Sequence, residues 1–389
     1  MLLYPEPIKD YPLEWVKDLS QVREKSDVIR LEKKDIKGLV TNRELLAFYQ
    51  RIEELTDIPF IQDYPPMPAD AHSFLYMIPK KQYEIKKLAP FIDDFYKRHH
   101  HSKIVDIGGG IGLLAQSLTN HYGHNVESLD MDPVLQKTGE ARSQKLGKNS
   151  LTKVQYRHVK VEETNSLFLE CLDPHTLSVG LHTCGPLANA QMRASALKKI
   201  SGIINFGCCY QKLENIPSAE NISQFAQNLE SPLFMTRFAL TLACRAHRKM
   251  NEIDYDLKLK VKFYRYAIHM LLHDHYGHTK LATLGNSNPK LYDQSFGVYA
   301  LEQLSRISEQ PKHSIEELNQ YFQSERVQNL IWDMLSAGLI RNALGRVMEL
   351  YILIDRVLYL EEQGYKAELL QFFDEETSPR NLGIVARRI

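Results

Sequence analysis

The sequence has few cysteines and no net charge, and each absence excludes a class of protein. Five cysteines among 389 residues, unevenly spaced, are too few for a disulfide framework and suit a reducing compartment. There are 48 Lys plus Arg residues and 48 Asp plus Glu residues. The chain therefore lacks the excess positive charge of a protein that binds polyanions with its whole surface. No apolar run is long enough to span a membrane, and the N-terminal residues lack the pattern of a signal peptide. We therefore expect a cytoplasmic protein without a membrane segment.

What remains is an ordinary globular composition with 43% hydrophobic and 25% charged residues, enough for a large core. The length predicts two or three domains. Periodicity and composition divide the chain into a helical N-terminal extension (1–75), a first core segment (76–210), a helical insertion (211–340) and a final core segment (341–389). A proline-rich stretch at 57–70 ends the helical pattern of the extension.

Residues 76–210 alternate short apolar strands with helices. The predicted strands are 103–106, 125–130, 154–160, 177–182 and 202–206, and the predicted helices between or before them are 81–97, 112–120, 133–145 and 187–197. Such alternation with short connections is typical of a mostly parallel sheet with helices on both faces. The predicted fold class is therefore α/β.

The rest of the chain is mostly helical and ends in a predicted hairpin. Helical patterns cover 257–276, 292–306, 315–322, 326–335 and 344–362, and two alternating segments follow at 366–373 and 382–388. Five strands, then a late helix and an antiparallel hairpin, are the element order of the Rossmann-like class I methyltransferase sheet, with the insertion after the fifth strand. We expect Arg380 to hold the hairpin turn through an acid such as Asp355, with contact to a substrate as the alternative.

A glycine-rich turn follows the first predicted strand. Asp106 precedes Gly108, Gly110 and Gly112 in a D-x-G-x-G-x-G pattern that runs directly into a helix. Glycine allows a tight turn and a close approach of the backbone to a ligand, and the helix start points its free amides at the same place. NAD-binding loops usually carry the third glycine one position later. The pattern instead resembles motif I of class I S-adenosylmethionine (AdoMet) methyltransferases, which implies that Asp106 contacts the methionine end of AdoMet.

An acidic residue ends the second predicted strand. Asp130 lies where a carboxylate commonly binds the ribose hydroxyls of a nucleotide cofactor. Asp132 directly precedes Pro133 and is in the position to cap the next helix. We predict that Asp130 binds ribose, with helix capping as its alternative, and that Asp132 is the cap. Glycine loop and acid together predict AdoMet as the cofactor, and NAD is the less favoured alternative.

Unusual polar residues end the fourth and fifth predicted strands, in the segments LHTCG (181–185) and GCCY (207–210). In a doubly wound sheet both segments emerge at the ligand-binding edge. We expect five side chains to converge beside the transferred methyl group: His182, Cys184, Cys208, Cys209 and Tyr210. His182 is predicted to accept a proton, Tyr210 to hold a planar acceptor, and the cysteines to line the substrate pocket. The alternative for His182 is a buried histidine satisfied by the backbone.

These two motifs together resemble the methyltransferase-like protein 25 family, whose members carry L-H-x-C-G and G-C-C-Y. The resemblance extends to PKKQYE at 79–84, where Tyr83 stands in place of the family's histidine, and to segments at 353–364 and 378–381. The tRNA acceptor-stem 2′-O-methyltransferases are more distantly similar, but Tyr210 replaces the first histidine of their C-C-H-H motif, so an RNA ribose target does not carry over. The resemblance implies AdoMet-dependent methyl transfer.

The acceptor and the metal content are less well defined by the sequence. We expect an O or N nucleophile of an RNA or a protein, because a large insertion favours a macromolecular acceptor. A non-catalytic AdoMet-binding scaffold is the competing hypothesis. His182, Cys184, Cys208 and Cys209 offer zinc-binding atoms, but adjacent side chains point to opposite sides of an extended chain. We therefore predict no metal site.

Overall fold

The computed structural model describes residues 4–68, 74–75, 77–146, 154–213, 221–230, 235–245 and 252–389. Its strands are β1 (Lys103–Ile107), β2 (Val126–Asp130), β3 (Gln155–His158), β4 (Thr176–Cys184), β5 (Gly202–Cys208), β6 (Tyr365–Gln371) and β7 (Leu382–Arg388). Its helices are α1 (Leu13–Ser20), α2 (Lys25–Glu32), α3 (Arg43–Thr56), α4 (Pro79–Arg98), α5 (Leu113–Tyr122), α6 (Pro133–Leu146), α7 (Ser166–Glu170), α8 (Pro186–Leu197), α9 (Gln224–Gln227), α10 (Arg237–Arg245), α11 (Glu252–Tyr276), α12 (Phe296–Arg306), α13 (Ile315–Gln323), α14 (Glu325–Ala343) and α15 (Gly345–Glu362).

The chain divides into two compact units. The first comprises Met1–Leu55 and Arg248–Leu344, and the second comprises Thr56–His247 and Gly345–Ile389. The second unit thus includes α9 and α10, which lie in the segment that the sequence assigned to the insertion. The predicted division into four segments stays a proposal. Among the described residues, none of the helices combines the length and the apolar composition that crossing a membrane requires.

The first unit is helical and packs around aromatic side chains. The ring of Tyr264 lies 5.5 Å from the ring of Phe296 and 5.2 Å from that of Phe322, both at steep angles that favour edge-to-face contact. Helix α14 extends to Ala343, well beyond the predicted segment 326–335. It continues because Leu339 and Ile340 are also buried, so the apolar face does not end where the prediction ended it.

The second unit contains one seven-stranded sheet in the order β3-β2-β1-β4-β5-β7-β6. Strands β1 to β5 pair in parallel, and β7 pairs antiparallel with both β5 and β6. Neighbouring residues such as Ile203 and Ile204 belong to different hydrophobic clusters, since successive side chains point to opposite faces of a sheet. The predicted α/β fold class is confirmed, and so is the placement of the terminal hairpin beside the fifth strand.

The strand order brings the sequence motifs to one edge of the sheet. Parallel strands β1, β2, β4 and β5 end there, and the glycine loop, Asp130 and the two cysteine motifs follow or include those strand ends. The pairing of β4 with β5 shifts register between Leu181 and Thr183, and His182 between them has a φ of +69°. This bulge re-aims His182, as bulges near functional sites commonly do.

Candidate active site

The backbone of the glycine loop adopts a conformation that favours glycine at three positions. Gly108, Gly110 and Gly112 have φ values of +66°, +60° and +69°, which other residues adopt only with strain. A Cβ at Gly112 would also lie 2.7 Å from the ring of Tyr156, closer than van der Waals contact allows. Gly112 immediately precedes α5, so the first amides of this helix border the loop. The loop therefore fits a ligand that approaches the backbone closely.

Asp106, in β1, carries a buried acceptor without a donor. Its side chain is 2% exposed, and among the described residues nothing donates a hydrogen bond to its Oδ2. Burial raises the pKa of Asp106 to about 7; the charge of Lys81 and a hydrogen bond from the backbone N–H of Ala115 oppose the shift, and the charge of Asp130 adds to it. A Cβ at Gly109 would lie 2.6 Å from this Oδ2, so the oxygen lies directly against the backbone of the glycine loop, where only glycine leaves room for it. An N–H or ammonium donor, such as the ammonium group of AdoMet, is the kind of partner that this oxygen lacks.

Asp130 and Asp132 have different hydrogen-bond partners, and those of Asp132 are the ones that the sequence predicts. Asp132 accepts a hydrogen bond from the backbone N–H of Val134 at 2.8 Å, which confirms its capping role at the start of α6. Asp130 accepts the N–H of Gly110 at 2.9 Å through Oδ2 and the N–H of Asp132 at 2.9 Å through Oδ1. It therefore ties the second strand to the glycine loop. Each carboxylate oxygen keeps a further lone pair for a hydroxyl, and ribose binding stays a prediction.

His182 forms a short hydrogen bond with a carboxylate of α4. Its Nε2 lies 2.9 Å and 3.0 Å from the two carboxylate oxygens of Glu84, and its side chain is 23% exposed. An ionised carboxylate only accepts hydrogen bonds, so Nε2 carries the proton and Nδ1 is the nitrogen that can accept one. The geometry thus supports a side-chain partner for His182, instead of the backbone partner named as its alternative.

Glu84 is wholly buried yet surrounded by donors. Ser378 donates to its Oε1 at 2.7 Å, and Lys81 Nζ lies 3.1 Å from Oε2. Burial by itself raises the pKa of Glu84, but the hydrogen bond and charge of His182, with Lys81 and Ser378, lower it to about 2. Glu84 is not among the site residues that the sequence predicts. The available signal was its place as the last residue of PKKQYE.

Three cysteines converge at the ends of β4 and β5. The Sγ atoms of Cys184 and Cys208 are 3.1 Å apart, and those of Cys184, Cys208 and Cys209 all lie within 4.8 Å of one another. The expectation that the adjacent cysteines point apart is wrong. Cys209 follows the end of β5 with a φ of +51°, so the chain is no longer extended there. The hydrogen bond from Cys208 lowers the pKa of the Cys184 thiol against the effect of burial.

Tyr210 does not contribute to the surface of this site. Its side chain is 0% exposed, and its hydroxyl donates to Glu349 Oε1 at 3.1 Å. Burial, followed by the charge of Glu349, raises its pKa well above the ordinary value. The predicted contact of Tyr210 with the acceptor is therefore wrong. The physical reason is the 3₁₀ turn Tyr210–Leu213, which directs the ring into a hydrophobic cluster with Leu213 and Met235.

Arg380 has the structural role that the sequence favoured, with a different partner. Its guanidinium donates to the backbone carbonyl of Cys244 and lies 4.0 Å from the carboxylate of Glu349. Asp355 instead accepts the backbone N–H groups of Ile222 and Ser223 at 2.8 and 3.0 Å. The predicted pairing of Arg380 with Asp355 is wrong, because Asp355 is already occupied by these amides.

Comparison with known proteins agrees with this geometry. Residues 80–216 match the protein family described as "Methyltransferase domain". The probable methyltransferase-like protein 25 of Mus musculus is 27% identical over 226 residues, which are 54% of this chain and 37% of that protein. The Homo sapiens protein of the same name is 28% identical over 228 residues, 54% of this chain and 36% of that protein. The matched region thus covers little more than a third of these relatives.

A solved structure is also similar in part. The geranyl diphosphate C-methyltransferase of Streptomyces coelicolor A3(2), in complex with Mg²⁺, geranyl diphosphate and S-adenosyl-L-homocysteine, is 14% identical. The match covers 41% of this chain and 64% of that chain, with a TM-score of 0.23. A similarity of this extent adds nothing to the strand order seen directly in the sheet.

Proposed function

We propose that this protein, whose residues 80–216 carry a class I methyltransferase domain, is an AdoMet-dependent methyltransferase. The observation that carries the proposal is Asp106 Oδ2, a buried acceptor without a partner among the described residues, which lies against Gly109 of the glycine loop. A buried acceptor without a donor costs about 1–3 kcal/mol. A ligand that donates a hydrogen bond there recovers that cost, which favours binding of the methionine end of AdoMet.

The remaining cofactor contacts follow from the strand ends. The backbone of Gly108, Gly110 and Gly112 would lie against the cofactor, and Asp130 would accept hydrogen bonds from its ribose hydroxyls. AdoMet, when bound, supplies a methyl group attached to a positively charged sulfur. The sulfur is a good leaving group because it becomes a neutral thioether when the acceptor takes the methyl group. The protein then has to align an acceptor with that methyl group, and alignment contributes more than acid–base help when the acceptor is a good nucleophile.

We further propose His182 as the residue that takes a proton from the acceptor, and Glu84 as the residue that positions it. Glu84 fixes the proton on Nε2, so Nδ1 can accept one from a hydroxyl or an amide. A base is useful only when the attacking atom has a proton to lose, which supports an O or N nucleophile. A macromolecular acceptor, RNA or protein, stays the prediction from the sequence.

Cofactor and chemistry need separate tests. Isothermal titration with AdoMet and its demethylated product tests the cofactor, and no binding of either one would contradict the proposal. Labelled AdoMet incubated with fractionated RNA, protein and metabolite extracts tests for transfer. Labelling confined to the metabolite fraction would contradict a macromolecular acceptor, and cofactor binding without any labelling would favour the scaffold hypothesis.

The role of His182 has a matched control. We expect His182→Gln to lower transfer by about 10²–10⁴-fold, the usual contribution of a general base. AdoMet affinity should stay within about threefold, or ~0.7 kcal/mol. His175→Gln replaces an exposed histidine in the turn before β4 and should change neither quantity. Equal transfer by the two variants would remove His182 from the mechanism.

A further inference from the structure

The three-cysteine cluster (Cys184, Cys208 and Cys209) is not used by the chemistry proposed above. Its sulfur atoms lie within 4.8 Å of one another, and no other group of three or more His, Cys, Asp or Glu side chains in the described ranges comes together in this way. Cys208 is buried, while Cys184 and Cys209 are partly exposed. The cluster can therefore exchange ions with solvent while part of it stays inside the protein.

The spacing of the sulfurs suits one soft metal ion. Thiolates bind Zn²⁺ at ~2.3 Å, so three thiolates on one ion lie at most ~4.6 Å from one another. The observed sulfurs need only small side-chain movements to reach such an arrangement. Two of the ligands come from neighbouring strand ends, where Cys184 and Cys208 are paired in register. The third, Cys209, is directed there by its left-handed backbone.

A second observation comes from Arg356, in α15. Its side chain is 1% exposed, and neither Nη1 nor Nη2 has a hydrogen-bond partner among the described residues. Its Nε donates to the neutral amide of Asn189 at 3.1 Å, and its guanidinium lies 5.6 Å from the centre of the Tyr210 ring. The Nη1 atom is in contact with Gly207, the residue before Cys208. The charge of Asp355 acts on Arg356, but none of the hydrogen bonds of this guanidinium within the described residues goes to a carboxylate. Buried charges are normally paired by direct contact, so this cation favours a negative charge beside Cys208.

We propose that Cys184, Cys208 and Cys209 bind one Zn²⁺ ion through three thiolates. Each thiol releases its proton on binding, so one Zn²⁺ and three thiolates together carry a charge of −1. This charge would lie beside the guanidinium of Arg356 and pair with it. Three protein ligands leave the fourth tetrahedral position for water or an acceptor atom, as in catalytic zinc sites. The inference does not depend on methyl transfer.

Metal content is the direct test. The full chain, purified under reducing conditions, is incubated with Zn²⁺, freed of excess metal by gel filtration and analysed by plasma mass spectrometry. We expect one Zn²⁺ per chain. Cys184→Ser, Cys208→Ser and Cys209→Ser should each weaken Zn²⁺ binding at least tenfold, measured by competition with a chromophoric chelator.

Controls separate the cluster from the other cysteines. Cys244→Ser alters a cysteine in the same unit whose Sγ donates to Gln211, and this variant should keep its Zn²⁺. Thermal unfolding shows whether each variant is folded. Replacement by Co²⁺ should give the sulfur-to-cobalt absorption of a tetrahedral thiolate site, and this absorption should fall in the three cluster variants.

Three outcomes would overturn the proposal. The first is reduced, folded chain that retains no Zn²⁺. The second is unchanged Zn²⁺ affinity in a folded Cys184→Ser/Cys209→Ser double variant. The third is a disulfide between Cys184 and Cys208 that persists in the reducing buffer, since it would make these sulfurs a covalent pair and not a metal ligand set.

Discussion

Two buried carboxyl groups at the same edge of the sheet have opposite environments. Glu84 is 0% exposed and is held by His182, Lys81 and Ser378, and its pKa is lowered to about 2. Asp106 is 2% exposed and has one oxygen without a partner among the described residues, and its pKa is raised to about 7. The exposed fraction is nearly the same in both residues, so the hydrogen-bond and charge partners decide the difference between their pKa values.

The comparison separates a carboxylate whose oxygens have donors within the fold from one with an oxygen that has no donor among the described residues. A satisfied carboxylate stabilises the folded chain and orients its partners, as Glu84 orients His182. An unsatisfied one costs stability unless a ligand supplies the missing donor. We therefore propose that Glu84 positions His182 and that Asp106 binds the cofactor. Substitutions of these two carboxylates test this proposal, and substitutions of Asp130 and Asp132 extend the test to the neighbouring carboxylates.

The largest expected effect is on Glu84. Glu84→Gln removes the charged acceptor of His182 and the counter-charge of Lys81, so we expect the free energy of unfolding to fall by about 3–5 kcal/mol. Urea unfolding at pH 7 measures this. Asp94→Asn on the same helix breaks an exposed pair with Arg98 and should cost under about 1 kcal/mol. Similar losses in the two variants would show that Glu84 is not specially satisfied.

The pH dependence sharpens this prediction. The folded pKa of Glu84 is lowered from 4.5 to about 2, so its stabilisation is fully present above about pH 4.5 and is lost as the pH falls towards 2. The difference in stability between the wild type and Glu84→Gln should therefore shrink below pH 4.5. A difference that stays constant down to pH 3 would contradict the assigned ion pair.

Asp106 should give a change of the opposite sign. Its folded pKa is raised from 3.8 to about 7, so the wild type loses stability as the pH rises through this range. Asp106→Asn should then be more stable than the wild type by about 2–4 kcal/mol at pH 8 without cofactor. It should also bind AdoMet at least tenfold more weakly, a loss of about 1.4 kcal/mol. A variant that is destabilised but binds AdoMet normally would make Asp106 structural.

The third prediction concerns Asp130. Asp130→Ala should weaken AdoMet binding by about 1–3 kcal/mol, the range for a hydrogen bond to a charged group. Titration calorimetry on the folded variant measures it. Unchanged affinity would remove the ribose contact from the proposal and leave Asp130 as the residue that holds the N–H of Gly110.

The smallest expected effect is on Asp132, which also serves as the matched control for Asp130. Asp132→Ala removes the cap of α6 and should lower the free energy of unfolding by about 1 kcal/mol. AdoMet affinity should remain within about twofold, since the hydrogen bonds of this side chain within the described residues go to the backbone N–H groups of Val134 and Leu135 at the start of its helix. A loss of affinity as large as that of Asp130→Ala would show that the two aspartates act together.

Much of the fold could be predicted, because it depends on patterns of residues that are close together in the sequence. Alternating apolar strands and helices predict the parallel sheet, and the apolar alternation at 366–373 and 382–388 predicts the antiparallel hairpin beside β5. The cap at Asp132 follows from an acid before a proline. Helices α7 and α9 were not predicted, because they are too short to show a clear helical period. Helix α10 was not predicted either.

The candidate site was predicted less well, because its contacts join distant parts of the chain. Nothing near Glu84 in the sequence indicates that His182 and Ser378 are its partners, since the two lie on other elements. Tyr210 looked like a residue of the open edge, but a single 3₁₀ turn buried it. An extended chain predicts that Cys208 and Cys209 point apart, but the left-handed backbone of Cys209 brings their sulfurs together.

The sequence by itself therefore determined the sheet, the glycine loop and the strand ends on which polar residues lie, because these depend on the local preferences of neighbouring residues. The tertiary structure decided which of those residues face the edge and which are buried, and which buried charges have partners. That decision depends on packing between α4, α15, the strand ends and the terminal hairpin. Solvation and pairing are properties of the assembled surroundings, and no short segment contains them.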